Sequence, residues 1–185
     1  MGGTVTDILA VCTGNVCRSP VAEILLRAHL GDEVHVASAG THAREGAVMP
    51  RNMRIELKRD GADAKQHRAR PLTRAMAEES GLIITASRWQ LHFVQLLAPA
   101  AADRAFVLGD LAAVARAGGA LRGDSVRERV LDVPRVAAPH LAVVDEADST
   151  DIPDPMGHEQ TTYRVAYLLL REMVGDVADW VRTGR

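Results

Sequence analysis

Val11-Cys12-Thr13-Gly14-Asn15-Val16-Cys17-Arg18-Ser19-Pro20 is the stretch from which the rest of the chain can be read. It follows an apolar, β-branched run, Val5–Val11, that reads as a buried strand ending in a tight turn at Thr13-Gly14-Asn15. Ser19 is then placed to cap a helix whose first position is Pro20, with Glu23 near its positive end. Val21, Ala22, Leu25, Leu26 and Leu30 recur at helical spacing, and Gly31 stops the run. Strand, tight loop and helix in that order open an α/β unit.

The pattern repeats outward. Val34–Ser38, Leu82–Thr85 and Arg104–Leu108 read as further strands. Helices are expected at Pro50–Arg59, Thr73–Ser80, Arg88–Leu97 and Asp110–Arg116. A closing helix is expected from about Gln160 to Val181, with Val165, Leu169, Met173, Val177 and Trp180 on its apolar face. This alternation predicts an α/β fold: a four-stranded parallel sheet with helices on both faces and a phosphate-binding loop between the first strand and the first helix. The chain reads as one domain over 1–185. The stretch 118–150, with its glycines, prolines and scattered charge, reads as a surface insertion carrying one or two helical turns around Val126–Val130.

Composition narrows the function. The chain has 185 residues, 47% hydrophobic and 25% charged, which is the profile of a globular protein with a sizeable core. Only two Phe, two Trp and two Tyr are present, so Ala, Leu, Val and Ile must build that core. A net charge of −2 without long runs of one sign gives no footprint for nucleic acid or an anionic membrane. Met1–Ala10 lacks the basic start and apolar run of a signal peptide, so a cytoplasmic location is expected. The two cysteines, Cys12 and Cys17, have neither redox C-x-x-C nor zinc-ligand spacing, and the seven histidines form no HExxH pattern. No metal or other cofactor is expected.

The chemistry of the opening loop follows from its residue types. Ligands of open α/β sheets bind at the carboxyl ends of strands. A loop there, feeding a helix N-terminus, turns several backbone N–H groups into one concave nest suited to a phosphate-sized oxyanion. Thr13, Gly14, Asn15, Val16, Cys17 and Ser19 would line it, with Gly14 and Asn15 tolerating the positive φ that a tight loop needs. A thiolate at Cys12, on the floor of the nest, is favoured by those N–H groups and by a nearby guanidinium. Arg18 supplies a planar fork for two phosphoryl oxygens, and Ser19 can direct its hydroxyl at the sulfur.

The run Cys12 to Ser19, together with Asp151-Ile152-Pro153-Asp154-Pro155 far downstream, resembles the low-molecular-weight protein tyrosine phosphatase family, whose signature is C-x5-R-S plus a late Asp-Pro loop. Ser38-Ala39-Gly40-Thr41 and His67-Arg68-Ala69-Arg70-Pro71-Leu72-Thr73 also resemble segments of that family. The resemblance implies hydrolysis of phosphotyrosine-type phosphomonoesters through a cysteinyl-phosphate intermediate. Cys12 would be the nucleophile, Arg18 the phosphate clamp and Asp154 the general acid. Ser38 and His67, with Asn15 and Ser19, would hold the loop in shape. Asp151 competes for the acid role, but Asp154 immediately precedes a proline that fixes its loop. The substrate would be a phosphorylated protein or a small aryl phosphate, with no nucleic acid or membrane partner.

The resemblance weakens at the rim. Where tyrosine-specific relatives carry aromatic walls, this chain has His42-Ala43-Arg44-Glu45 after Thr41 and Met156-Gly157 after the Asp-Pro pair. Arg44 and Met156 are therefore the candidate specificity residues: a cation for a substrate ring or an acidic neighbour, and a flexible apolar contact. Three alternatives stand beside the phosphatase. A phosphoarginine phosphatase of the same kind would be expected to carry Thr at the position of Val16. An arsenate reductase of the same fold would relay oxidation through further cysteines, of which only Cys17 is present. A non-catalytic phosphate-binding module would need neither Cys12 nor Asp154.

Overall fold

The computed structural model describes residues 6–141 and 151–185. Four strands, β1 (Ile8–Cys12), β2 (Val36–Gly40), β3 (Leu82–Thr85) and β4 (Ala105–Val107), form one sheet in the order β2-β1-β3-β4. Every pairing is parallel, with Ile8 opposite Val36 and Leu82, and Cys12 opposite Gly40. The expected four-stranded parallel sheet is therefore present. Val5, the first residue of the expected opening strand, lies outside the described residues, as do 142–150 of the expected insertion.

Seven α-helices are described: α1 (Arg18–Leu30), α2 (Arg51–Arg59), α3 (Arg74–Glu78), α4 (Arg88–Leu97), α5 (Leu108–Ala117), α6 (Val126–Leu141) and α7 (Gln160–Thr183). Alternate residues of β1 face opposite layers, as the period of a strand requires. Ile8 and Ala10 join the larger core with Leu26 of α1, Leu57 of α2, Leu111 of α5, Val133 of α6 and Val174 of α7. Leu9 and Val11 join a smaller one with Ala77 of α3 and Val94 of α4. Helices thus cover both faces. Chain direction diverges at β1, with β2 on one side and β3 on the other, and the loop after β1 opens at that divide.

Four local expectations are corrected. The first helix begins at Arg18, one residue before Ser19, and Cys17 occupies the cap position. Ser19 does not cap it, because its hydroxyl is turned onto the Cys12 sulfur. The second strand lies two residues later than Val34–Ser38, because pairing with β1 sets its register. The helix expected near Val126–Val130 continues to Leu141 despite Pro134 and Pro139 inside it. Interior proline costs about 3 kcal/mol. Burial of Val130, Val133, Val136 and Ala137 offsets that, at about 1.5–3 kcal/mol for each valine. In α7 the buried face is Tyr163, Ala166, Tyr167, Leu170, Val174, Val177, Ala178 and Val181, with Trp180 beside it. Val165 is exposed and Leu169 and Met173 only half-buried, so the expected stripe was rotated at its N-terminal end.

An ion pair ties α6 to the start of the sheet. Asp7 is fully buried and accepts from Arg127 Nε at 2.8 Å and from the His35 amide at 2.9 Å. Arg127→Ala leaves that carboxylate with one donor among the described residues. Because Arg127 is itself half-exposed, the expected loss is about 1–3 kcal/mol of stability in urea unfolding, less than a fully buried pair would cost.

Candidate active site

The loop from Cys12 to Ser19 is built around Asn15, which is fully buried and has φ +50°, in the left-handed region that Asn tolerates. Gly14 does not use positive φ, so only one of the two expected residues makes the sharp turn. The Asn15 amide donates to Cys12 Sγ at 3.3 Å. Its side-chain Nδ2 donates to Ser19 Oγ at 2.9 Å and to Ser38 Oγ at 2.8 Å. Its Oδ1 accepts from the Arg70 amide at 2.9 Å, and its carbonyl accepts from His67 Nε2 at 2.7 Å. Ser38 Oγ in turn donates to Glu23 Oε2 at 2.5 Å. Ser38 and His67 thus contact the loop as expected, while Glu23 and Arg70 were missed.

Cys12, at the end of β1, is buried, with its sulfur 3.1 Å from Ser19 Oγ. The loop is closed from above by the 151–156 segment, whose Ile152 amide donates to the carbonyl of Ala86, just past β3. Arg18 reaches across: Nη1 donates to the Ile152 carbonyl at 3.1 Å and Nη2 to Asp154 Oδ2 at 2.5 Å. Nη2 also lies 3.5 Å from Thr13 Oγ1. The guanidinium is buried whereas Asp154 is half-exposed, so its carboxylate sits at the mouth on the fork that an oxyanion would use. Asp151 is held elsewhere, accepting from the Arg88 amide at 2.8 Å. Asp154, not Asp151, is the carboxylate brought onto Arg18.

Cys17 is buried, with its Sγ 3.5 Å from Met156 Sδ. Burial pushes the Cys17 thiol up to about 12, with negative charge at Cys12 and Asp154 acting in the same direction and Arg18 against it. Met156 thus lies against the loop, half-exposed, and its sulfur also takes a long contact of 3.8 Å from Tyr163 Oη. Arg44 is exposed, its carbonyl bonded to the Ala47 amide.

The rim is not without aromatics. His42, Trp89 and Phe93 form a cluster with ring centroids 5.4–5.9 Å apart. The His42 amide donates to the Thr13 carbonyl at 2.9 Å, and Gln90 Nε2 donates to Thr13 Oγ1 at 3.0 Å. The cluster therefore stands beside the Thr13 end of the loop, with Trp89 half-exposed. The sequence points to walls near Thr41 and Asp154, and the structure adds one supplied by α4. The available signal was Trp89 and Phe93 four residues apart on a helix that starts beside the carboxyl end of β3.

Two outcomes follow. A Cβ on Gly40 would lie 2.6 Å from the Thr13 carbonyl oxygen and 2.8 Å from the Asn15 amide nitrogen, both backbone atoms. Gly40→Ala must therefore displace the loop, and inorganic phosphate binding measured by calorimetry should weaken at least about tenfold, or about 1.4 kcal/mol. Because the Cys17 thiol is raised, it stays protonated at pH 8 in the folded chain. Iodoacetamide at that pH should leave Cys17 unlabelled in native protein and label it in guanidinium, as read by peptide mass spectrometry.

The chain is similar to several known proteins. A probable low molecular weight protein-tyrosine-phosphatase, EpsP of Ralstonia nicotianae, is 36% identical over 107 residues, 58% of this chain and 73% of that protein. A low molecular weight protein-tyrosine-phosphatase, Ptp of Acinetobacter johnsonii, is 26% identical over 176 residues, 95% of this chain and 96% of that one. The solved structure of the YwlE arginine phosphatase from Geobacillus stearothermophilus superposes with a TM-score of 0.73 at 25% identity, covering 96% of this chain and 94% of that one. The family model described as low molecular weight phosphotyrosine protein phosphatase matches residues 7–119, and the chain belongs to that family.

Proposed function

We propose that the chain hydrolyses phosphotyrosine-type phosphomonoesters through a cysteinyl-phosphate, with Cys12 as nucleophile, Arg18 as phosphate clamp and Asp154 as general acid. The observation that carries the reading is the meeting of three groups at one loop. The Cys12 sulfur takes hydrogen bonds from the loop, Arg18 reaches the loop at Thr13, and Asp154 rests on Arg18 at the mouth. An incoming phosphoryl group takes over the guanidinium fork, and the Asp154 carboxylate released from it takes up a proton from solvent and faces the leaving oxygen. The Cys12 thiolate attacks phosphorus in line while Arg18 and the amides of Thr13 to Ser19 hold the equatorial oxygens. The S–P bond forms as the P–O bond breaks, and Asp154 gives its proton to the departing oxygen. Water then attacks phosphorus and loses its proton to the Asp154 carboxylate. The S–P electrons return to sulfur, where the Ser19 hydroxyl donates to the thiolate.

The aromatic cluster supports an aryl substrate. Trp89, with His42 and Phe93 behind it, offers a face for a substrate ring that Arg44 and Met156 alone would not. Hydrolysis of phosphoarginine is a second reading, favoured by likeness to the arginine phosphatase of Geobacillus stearothermophilus. Val16, which lacks a hydroxyl, argues against it. No helix among the described residues is long and apolar enough to cross a membrane. A cytoplasmic location and a lack of nucleic acid partners belong to this proposal, supported by the net charge of −2. So does a single phosphatase domain over 1–185 with an insertion at about 118–150. The family match ends at residue 119, next to the start of that stretch, and the helix within it packs on the shared core.

An aryl phosphate assay tests the reading. Cys12→Ser should abolish turnover while retaining phosphate binding. Asp154→Asn should slow substrates with poor leaving groups by about 10²-fold or more and spare those with good ones. Equal loss on both classes would remove Asp154 as the acid. Trp89→Ala should raise KM for a phosphotyrosine peptide by about three- to tenfold, the range expected for one lost aromatic pair, and leave an alkyl phosphate unaffected. Faster release of phosphate from phosphoarginine than from phosphotyrosine would favour the second reading.

A further inference from the structure

A cavity of about 710 Å³ opens behind the catalytic loop, between α1, Ser38 of β2 and the 63–70 segment. Its volume is that of a small-molecule site, and most of the residues lining it are polar or charged. Four cations line it: Arg27, Lys65, Arg68 and Arg70. Two are matched by carboxylates in the same wall, Arg27 by Glu23 at 2.8 Å and Lys65 by Asp63 at 3.2 Å. Arg68 and Arg70 have no such partner among the described residues. Arg68 Nη1 donates only to the carbonyls of Lys65 and His67, and Arg70 Nε to that of Ser38. The surplus is two guanidinium groups on one wall, both on exposed residues.

That wall is also the back of the loop. The Arg70 amide and His67 Nε2 hold Asn15, and Ser38 bridges Asn15 to Glu23. One residue further, Asn15 and Ser19 contact the Cys12 sulfur. A ligand in the cavity therefore touches the side chains that fix the loop's shape, without entering the loop itself.

From this we infer that the cavity is a second anion site, which takes a small polyphosphate or multiply phosphorylated molecule on Arg68 and Arg70 and weakens oxyanion binding at the catalytic loop. Guanidinium forks are suited to phosphoryl oxygens, and two of them favour a ligand with more than one phosphate. The sign follows from charge and from the shared network. An anion on Arg70 reduces the positive potential reaching the loop and competes for the arginine that braces Ser38 and Asn15. Coupling of this kind is reciprocal, so filling the loop must weaken the cavity's affinity by the same factor. Only the effect on turnover rests on the phosphatase reading; binding in the cavity does not.

The test uses the full chain, tungstate as the probe for the loop and tripolyphosphate as the probe for the cavity. The apparent Kd of tungstate should rise with tripolyphosphate and then level off, at about fivefold or more above its starting value. Arg68→Ala, which removes a cavity guanidinium that makes no contact with the loop, should move the midpoint of that rise to about tenfold higher tripolyphosphate. A rise without limit would mean that tripolyphosphate simply competes at the loop, and would overturn the proposal. A flat response would remove the coupling. A plateau with an unshifted midpoint in Arg68→Ala would place the site elsewhere and equally overturn the proposal. Failure of tungstate to bind would refute the phosphatase reading instead. Direct calorimetry of tripolyphosphate on the parent and on Arg68→Ala then decides the cavity alone, binding to the parent weakened in the variant supporting it and equal or absent binding overturning it.

Discussion

Asn15 satisfies every hydrogen-bonding group it owns, and the catalytic loop depends on that. Backbone N–H, backbone carbonyl, both amide hydrogens and the amide oxygen each have a partner, drawn from β1, α1, β2 and the 67–70 segment. A buried amide with any of these missing would cost about 1–3 kcal/mol per orphaned group. Complete, the network holds a left-handed residue in place and fixes the geometry around the Cys12 sulfur. Gly40 belongs to the same constraint, since its lack of a side chain lets β2 approach the loop backbone.

The mouth of the site is ordered by a different balance. Arg18 is buried, and a buried guanidinium needs an anionic or carbonyl partner. Asp154 and the Ile152 carbonyl fill that need in the structure, which also draws the 151–156 segment over the loop. The same contact joins the group proposed to hold phosphate to the group proposed to protonate the leaving oxygen. Phosphate entry and positioning of the acid are thereby linked through one side chain.

Much of this was legible in the chain because it rests on local pattern. The loop residues lie within one short run, and the apolar strands announce the sheet through β-branched composition. What escaped depends on tertiary placement. Ser19 has the right chemistry for a helix cap, but the nearby sulfur and Asn15 compete for its hydroxyl. The prolines of α6 signal a break locally, while the buried valines that keep the helix are felt only once α7 and the sheet are in place. The stripe of α7 was misphased because its exposed side also carries apolar residues, Val165 and Leu168. The spacing of Trp89 and Phe93 marks an aromatic face on α4 but not its position, because His42 and Trp89 are far apart in sequence and meet only where β2 and β3 end on either side of β1. Among the proposed specificity residues, Met156 does meet the loop, through the Cys17 sulfur, whereas Arg44 is exposed and its carbonyl bonds to the Ala47 amide.

The central claim is that phosphorus is transferred to the Cys12 sulfur. Mixing the protein with an aryl phosphate, quenching in denaturant at alkaline pH within one turnover and mapping the peptides by mass spectrometry tests it directly. The account predicts a phosphoryl group on Cys12, at higher occupancy in Asp154→Asn with a good leaving group, because that variant also lacks the base for the second step. Turnover with no phosphoryl group on Cys12 in either protein, or with the group on another residue, would contradict it.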